Sequence, residues 1–292
     1  MLVNIDIHPG SKEDGSQINL KIPVTTQIST TDINVSKRGN PKNKHSSTSD
    51  EVLAWHVLLK QGRGQAALDV TRISAMEEMH ANGEFAELVR SRPLLMLLRL
   101  QRWDELFQEP VAQGRRGIAA ILYFFARGVA FARMGNLACA TDAMKRLEPI
   151  ASTIAGSHAK DEPLDKTMCN LALVTREQLR AEVALAEGKT EAALRHQKSA
   201  SIFAEYLEHA QPPILADNSM LALANMQMRV QLWPDAEQTY HKYLTQHPAC
   251  GWALQGLIHV ATAQGREAEV KKLKLDLSRS WSEADASLLN QA

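Results

Sequence analysis

The sequence predicts an all-α fold, an α-solenoid of about five to six antiparallel helix pairs (residues 51–292) behind a polar leader (residues 1–50). Three observations carry this expectation. Apolar residues recur at helical spacing from residue 51 onward, and breaks of one type interrupt them again and again. Hydrophobic residues make up 45% of the chain but aromatics only 5%, so apolar area comes mostly from Leu, Ala, Met, Val and Ile. That composition suits helix-on-helix packing.

The breaks share a pattern. Gly135-Asn136-Leu137-Ala138-Cys139-Ala140, Gly188-Lys189-Thr190-Glu191-Ala192-Ala193 and Gln231-Leu232-Trp233-Pro234-Asp235-Ala236 each place Ala five residues after a Gly or its stand-in. Such a break separates two helices, and the small residue lets their backbones approach closely. Gln101-Arg102-Trp103-Asp104-Glu105-Leu106 and Gly265-Arg266-Glu267-Ala268-Glu269-Val270 complete the set. The fifth positions are 106, 140, 193, 236 and 270, which lie 34, 53, 43 and 34 residues apart.

Residues 1–50 contain no Phe, Trp or Tyr and are rich in Ser, Thr, Asn, Lys and Asp, so disorder or weak order is expected. Leu2–Ile7 and Ile18–Val24 alternate like strands, but an isolated hairpin is marginal in water and Pro23 weakens the second run. Ser49 or Asp50 then caps a helix carrying Val52, Trp55, Leu58 and Leu59 on one stripe, ended by Gly62 and Gly64. Ala66–His80 returns, closed by Asn82-Gly83.

The next unit opens near Glu84. Pro93 reads as the first turn of the apolar helix Leu94–Leu100, with Trp103–Gln108 as its short partner. Ile118–Met134 pairs with Leu137–Ile150, followed by an insertion loop at 155–166 that holds Gly156, Ser157 and Pro163. Leu171–Glu187 pairs with Glu191–Ala210, and Gln211-Pro212-Pro213 opens a second insertion, 211–218. Ser219–Leu232 with Asp235–His247, and Gly251–Gln264 with Glu267–Trp281, finish the array.

Two of the four spacings equal one tetratricopeptide period, and the other two are that period plus an insertion. The unit 217–250 fits best, with Met220, Ala224, Ala236, Tyr240, Tyr243 and Pro248 at the expected positions. Over residues 93–285 the chain resembles a family of uncharacterised bacterial tetratricopeptide-repeat proteins. The likeness lies in Arg99-Leu100-Gln101-Arg102-Trp103-Asp104-Glu105, Phe125-Ala126-Arg127-Gly128-Val129-Ala130 and Gly251-Trp252-Ala253-Leu254-Gln255-Gly256-Leu257. Family members commonly carry Pro-Pro-Trp where this chain has Pro212-Pro213-Ile214. The resemblance implies a helical-repeat fold and an interaction role, and it brings no catalytic residue.

Several function classes are disfavoured. Lys plus Arg and Asp plus Glu both number 33, so the chain lacks the long-range positive field of a general nucleic-acid binder. Three dispersed cysteines give no disulfide framework and fit a reducing compartment. No apolar run has the length of a signal peptide or a membrane span, so a soluble cytoplasmic protein is expected. Ten histidines form no metal-ligand spacing, and there is no phosphate loop or nucleophile turn. The expectation is therefore no enzyme, no catalytic residue, no cofactor and no metal.

What remains is a binding surface. In stacked helix pairs the first helix of each pair lines the inner side. Arg99, Arg133 and Arg229 share one repeat position there, with Asn225 and His259 at a second and Trp252 at a third. A row of guanidiniums beside an Asn amide suits a carboxylate or an acidic peptide. The same arginines stand two residues before each break, where a cation meets the helix macrodipole, so simple capping is the competing explanation. Arg127 and Arg180 fall where a helix packs on its partner and need counter-ions, for which Glu182 and Glu148 are the candidates. The leading functional expectation is a non-catalytic scaffold that binds a protein or peptide through Arg99, Arg133, Asn225, Arg229 and Trp252. The alternative is an enzyme or small-molecule sensor with its site between the insertions 155–166 and 211–218.

Overall fold

The computed structural model describes residues 49–110, 117–157, 163–208, 214–215 and 218–289. The expected leader hairpin lies outside these residues. Among the described residues every regular element is helical: α1 (Ser49–Lys60), α2 (Gly64–Glu77), α3 (Glu84–Arg99), α4 (Trp103–Gln108), α5 (Ile118–Arg133), α6 (Leu137–Ser157), α7 (Pro163–Ala186), α8 (Thr190–Glu208), α9 (Ser219–Arg229), α10 (Trp233–Gln246), α11 (Gly251–Ala263), α12 (Glu267–Ser280) and α13 (Ala286–Leu289). None is long and apolar enough to cross a membrane.

Six joints pair these helices, and all six are made the same way. Gly62, Gln101, Gly135, Gly188, Gln231 and Gly265 take φ between 55° and 79°. The amide that follows each one donates to the carbonyl five residues back: Arg63 to Leu58 at 2.9 Å, Arg102 to Leu97 at 3.0 Å, Asn136 to Phe131 at 2.8 Å, Lys189 to Ala184 at 2.8 Å, Leu232 to Gln227 at 2.9 Å and Arg266 to Ala261 at 2.9 Å. This is the left-handed helix stop, which satisfies carbonyls the helix leaves open. Five residues after the stop, Ala67, Leu106, Ala140, Ala193 and Ala236 are all completely buried, where the returning helix crosses its partner.

Two of the six stops use Gln, which meets a steric penalty there that Gly escapes. Gln231 is exposed, so its side chain contributes little in compensation. Gln231→Gly is expected to stabilise the protein by about 0.5–1 kcal/mol, the left-handed strain relieved less the extra freedom of Gly in the unfolded chain. A shift in urea midpoint at constant slope measures it.

Two boundaries depart from the sequence reading. Pro93 does not open a helix but sits inside α3, which starts at Glu84. Ala86, Leu88 and Val89 before it and Leu94 to Leu97 after it are all buried, so packing on both sides outweighs the missing amide. The first insertion is much shorter than 155–166: α6 continues through Pro149 to Ser157, and α7 already starts at Pro163 rather than near Leu171. Pro163 is at the first helical position, where its lack of an N–H carries no penalty.

The helices pack in chain order, each pair against the next, and α3 also lies on α5, α5 on α7 and α9 on α11. These are first helices of their pairs, here called the inner helices, and they lie side by side at these three places. Within this helical body the first and last elements meet. Trp252 Nε1 donates to Leu59 O at 2.9 Å and Trp281 Nε1 to Lys60 O at 3.0 Å. The Asp285 amide donates to Gly62 O at 3.0 Å, while Gln65 N donates to Asp285 Oδ2 at 2.8 Å. The two indoles pack edge to face, their centroids 4.8 Å apart. One apolar core accordingly joins Trp55, Leu59 and Leu68 to Leu257, Leu277 and Trp281, and a second runs through α3 and α5 to α8.

Candidate functional site

A partly open cavity of ≈ 210 Å³ is lined by residues of α3, α5, α7, α8, α9, α11 and α13. Three of the inner helices, α3, α5 and α9, end on an arginine: Arg99, Arg133 and Arg229. All three line the cavity, together with Asn225, Trp252 and His259. The five residues expected to form the binding surface therefore line one partly open cavity.

Each is held by a definite contact. Arg99 stacks its guanidinium over the Trp252 ring, 3.7 Å from the centroid. Trp252 is itself fixed by its bond to Leu59 O in α1. Asn225 Oδ1 accepts from Tyr240 Oη at 2.6 Å, which orients the amide. Tyr240 reaches it across Gly256, where a Cβ would collide with the phenol ring.

The sequence pattern did not reveal the centre of the site. Glu182 of α7 is buried, and its Oε1 accepts from Arg133 Nη2 at 2.8 Å, Arg133 Nε at 3.2 Å and Arg229 Nη1 at 2.6 Å. Burial pushes the Glu182 carboxyl up, but the charges of Arg133 and Arg229 and their hydrogen bonds outweigh it and hold the carboxyl below its ordinary value. The other oxygen, Oε2, is cut off from water with no hydrogen-bond partner, and Gln197 Nε2 in the same lining is in the same condition. Three guanidiniums against one carboxylate leave the lining formally +2.

The counter-ions differ from expectation. Arg180 does pair with Glu148, through both oxygens at 2.6 and 2.8 Å, and also with Glu177 at 2.8 Å. Arg127 takes neither candidate carboxylate: it donates to Tyr123 Oη at 2.8 Å and Phe107 O at 3.1 Å and lies over both rings. Its charge is met by aromatic faces and a carbonyl, which frees Glu182 for the cavity arginines. Glu177 and Gln197, polar at repeat positions that favour apolar residues, are both buried. Glu177 accepts from Arg180 and faces His196 Nδ1 at 2.8 Å, so that mismatch is absorbed by an ion-pair cluster.

Among the described residues one further group has the spacing of metal ligands: Glu237, His241 and Glu269 on α10 and α12. Arg266 already spans it, donating to both Glu237 oxygens at 2.9 and 2.8 Å and to Glu269 at 2.7 Å. A guanidinium thus stands where a metal ion would supply the positive charge.

No protein-family model, curated protein or solved structure matches this chain. The polar groups of the cavity are amides, guanidiniums, the His259 imidazole and a carboxylate held between two cations.

Proposed function

We propose that residues 51–292 form a tetratricopeptide-like solenoid whose inner wall binds a partner protein or peptide without catalysis, the partner entering through an acidic residue. The observation behind this reading is the convergence of Arg99, Arg133, Asn225, Arg229 and Trp252 on one cavity of net positive charge. The three arginines remain helix-terminal residues and meet the macrodipole as caps, and that role is compatible with a ligand on their outward edges. A cavity of ≈ 210 Å³ is small beside the roughly 300–1,000 Å³ of sites for drug-sized molecules, so it suits one side chain better than an extended strand.

Binding to immobilised protein of two peptide pools, one Asp/Glu-rich and one Lys-rich, tests the reading. The acidic pool is expected to be retained, with affinity falling as salt rises. Arg99→Glu is expected to weaken retention about tenfold or more while leaving the far-ultraviolet circular dichroism unchanged, because a charged hydrogen bond is worth roughly 1.5–3 kcal/mol. Equal retention of both pools, or full retention by Arg99→Glu, refutes it.

The alternative site between the two insertions gains one specific observation. Leu215, from the second insertion, lines the same cavity. A small-molecule site is thereby drawn to the centre of the inner wall rather than to a separate space between loops.

A further inference from the structure

We propose that this cavity is the site of a free amphipathic carboxylate, a small organic acid of about ten non-hydrogen atoms with an apolar body. The proposal rests on the reading that the inner wall is a binding surface, and names the class of molecule that fills it.

The register of the inner helices gives the polarity. On α5, Phe125, Val129 and Arg133 follow one another at four-residue steps, so a single stripe runs from aromatic to aliphatic to cationic. On α3, Leu95 precedes Arg99 by the same step, and on α9 Ala222 and Met226 precede Arg229. On these three helices the arginine ends a stripe of apolar residues, so each cation of the lining stands beside apolar side chains. A ligand that matches this surface joins a charged group to an apolar body.

Charge selects the sign. Arg133 and Arg229 share a single oxygen of Glu182, so one carboxylate faces two guanidiniums. Arg229 spends only its Nη1 on Glu182, and its side chain keeps 31% exposure. Its remaining donors are geometrically suited to the fork of a second carboxylate.

Size favours a small ligand. A volume of ≈ 210 Å³ is below the roughly 300–1,000 Å³ of sites for drug-sized molecules, and a small acid such as phenylpropanoate matches it. The apolar half of the lining distinguishes such an acid from inorganic phosphate, which satisfies the arginines but leaves Leu95, Phe125 and Val129 against water.

Isothermal titration of the full chain tests the proposal, with 3-phenylpropanoate, hexanoate, hexanamide, hexylamine, acetate and inorganic phosphate as probes. The first two are expected to bind saturably at one site per chain, about tenfold or more tighter than the other four. Ala222→Leu, which fills the cavity without touching the arginines, and Arg229→Met are each expected to weaken 3-phenylpropanoate about tenfold or more; if Arg229→Met does not fold, Ala222→Leu decides. Hexanamide or phosphate matching the acids, Ala222→Leu binding as well as the wild type, or no saturation by either acid overturns the proposal. Retention of acidic peptides without any binding of the free acids also overturns it and leaves the partner reading standing. Binding of the free acids without peptide retention supports it and removes the partner reading.

Discussion

Replacing Arg133 and Arg229 together by Met is expected to cost roughly 3–5 kcal/mol at neutral pH, the penalty of leaving a buried carboxylate without its cations. Glu182 is the reason. In the native protein its carboxyl is held below the ordinary range, because the two guanidiniums outweigh the burial that pushes it up. A carboxylate with a depressed folded pKa contributes stability above its unfolded value of about 4.3 and loses it as pH falls toward the folded one. In the double variant burial is left unopposed, so the folded pKa rises above the unfolded one and the sign inverts. Stability then increases as pH falls from 7 to 5. Urea unfolding at the two pH values reads this directly. Adding Glu182→Leu to the double variant is expected to recover most of the loss, since an apolar triple replaces an ion pair at little or no net cost. A double variant with an unchanged midpoint and no inverted pH dependence would remove Glu182 from the centre of the site.

Trp281→Ala is the second large effect, expected at about 3–5 kcal/mol, the usual cost of truncating a fully buried aromatic side chain. The indole is 1% exposed, donates to Lys60 O, and packs against Trp252 and the backbone of Gly62 and Gly251, where a Cβ on either glycine would overlap its ring. The Asp285 amide, which donates to Gly62 O, is expected to lose its protection from hydrogen exchange while amides of α5 and α6 keep most of theirs. Uniform loss of protection across the chain would show instead that the body unfolds as one unit. Trp252 joins this contact to the cavity, because it touches Trp281 on one side and Arg99 on the other.

The joints were the legible part of this sequence. A stop followed five residues later by a small or aliphatic residue marks a local geometry, and local geometry is written in adjacent residues. Gly62 and Ala67 obey the same offset, yet that pair stood out less because Gly64 offers a competing break two residues on. Helix ends next to Pro were read less well. Pro93, Pro149 and Pro163 look alike in sequence, but two lie inside helices and one begins a helix, and tertiary burial decides which. Helical register put Arg99, Arg133, Asn225, Arg229 and Trp252 on one surface, and all five line one cavity. It could not choose partners between helices: Glu182 faces Arg133 and Arg229, 49 and 47 residues away in sequence, instead of the nearby Arg180. Nor does any pattern foretell that Leu59 and Lys60 accept from Trp252 and Trp281, because that pairing spans 193 and 221 residues.

That long-range pairing limits how such a chain can evolve. A stack with two free ends tolerates duplication of a segment, since the extra copy extends the row and disturbs only its neighbours. Here an added 34-residue segment would displace the two indoles from the carbonyls they hold, so lengthening by one copy means loss of the seam and of the Arg99 platform together.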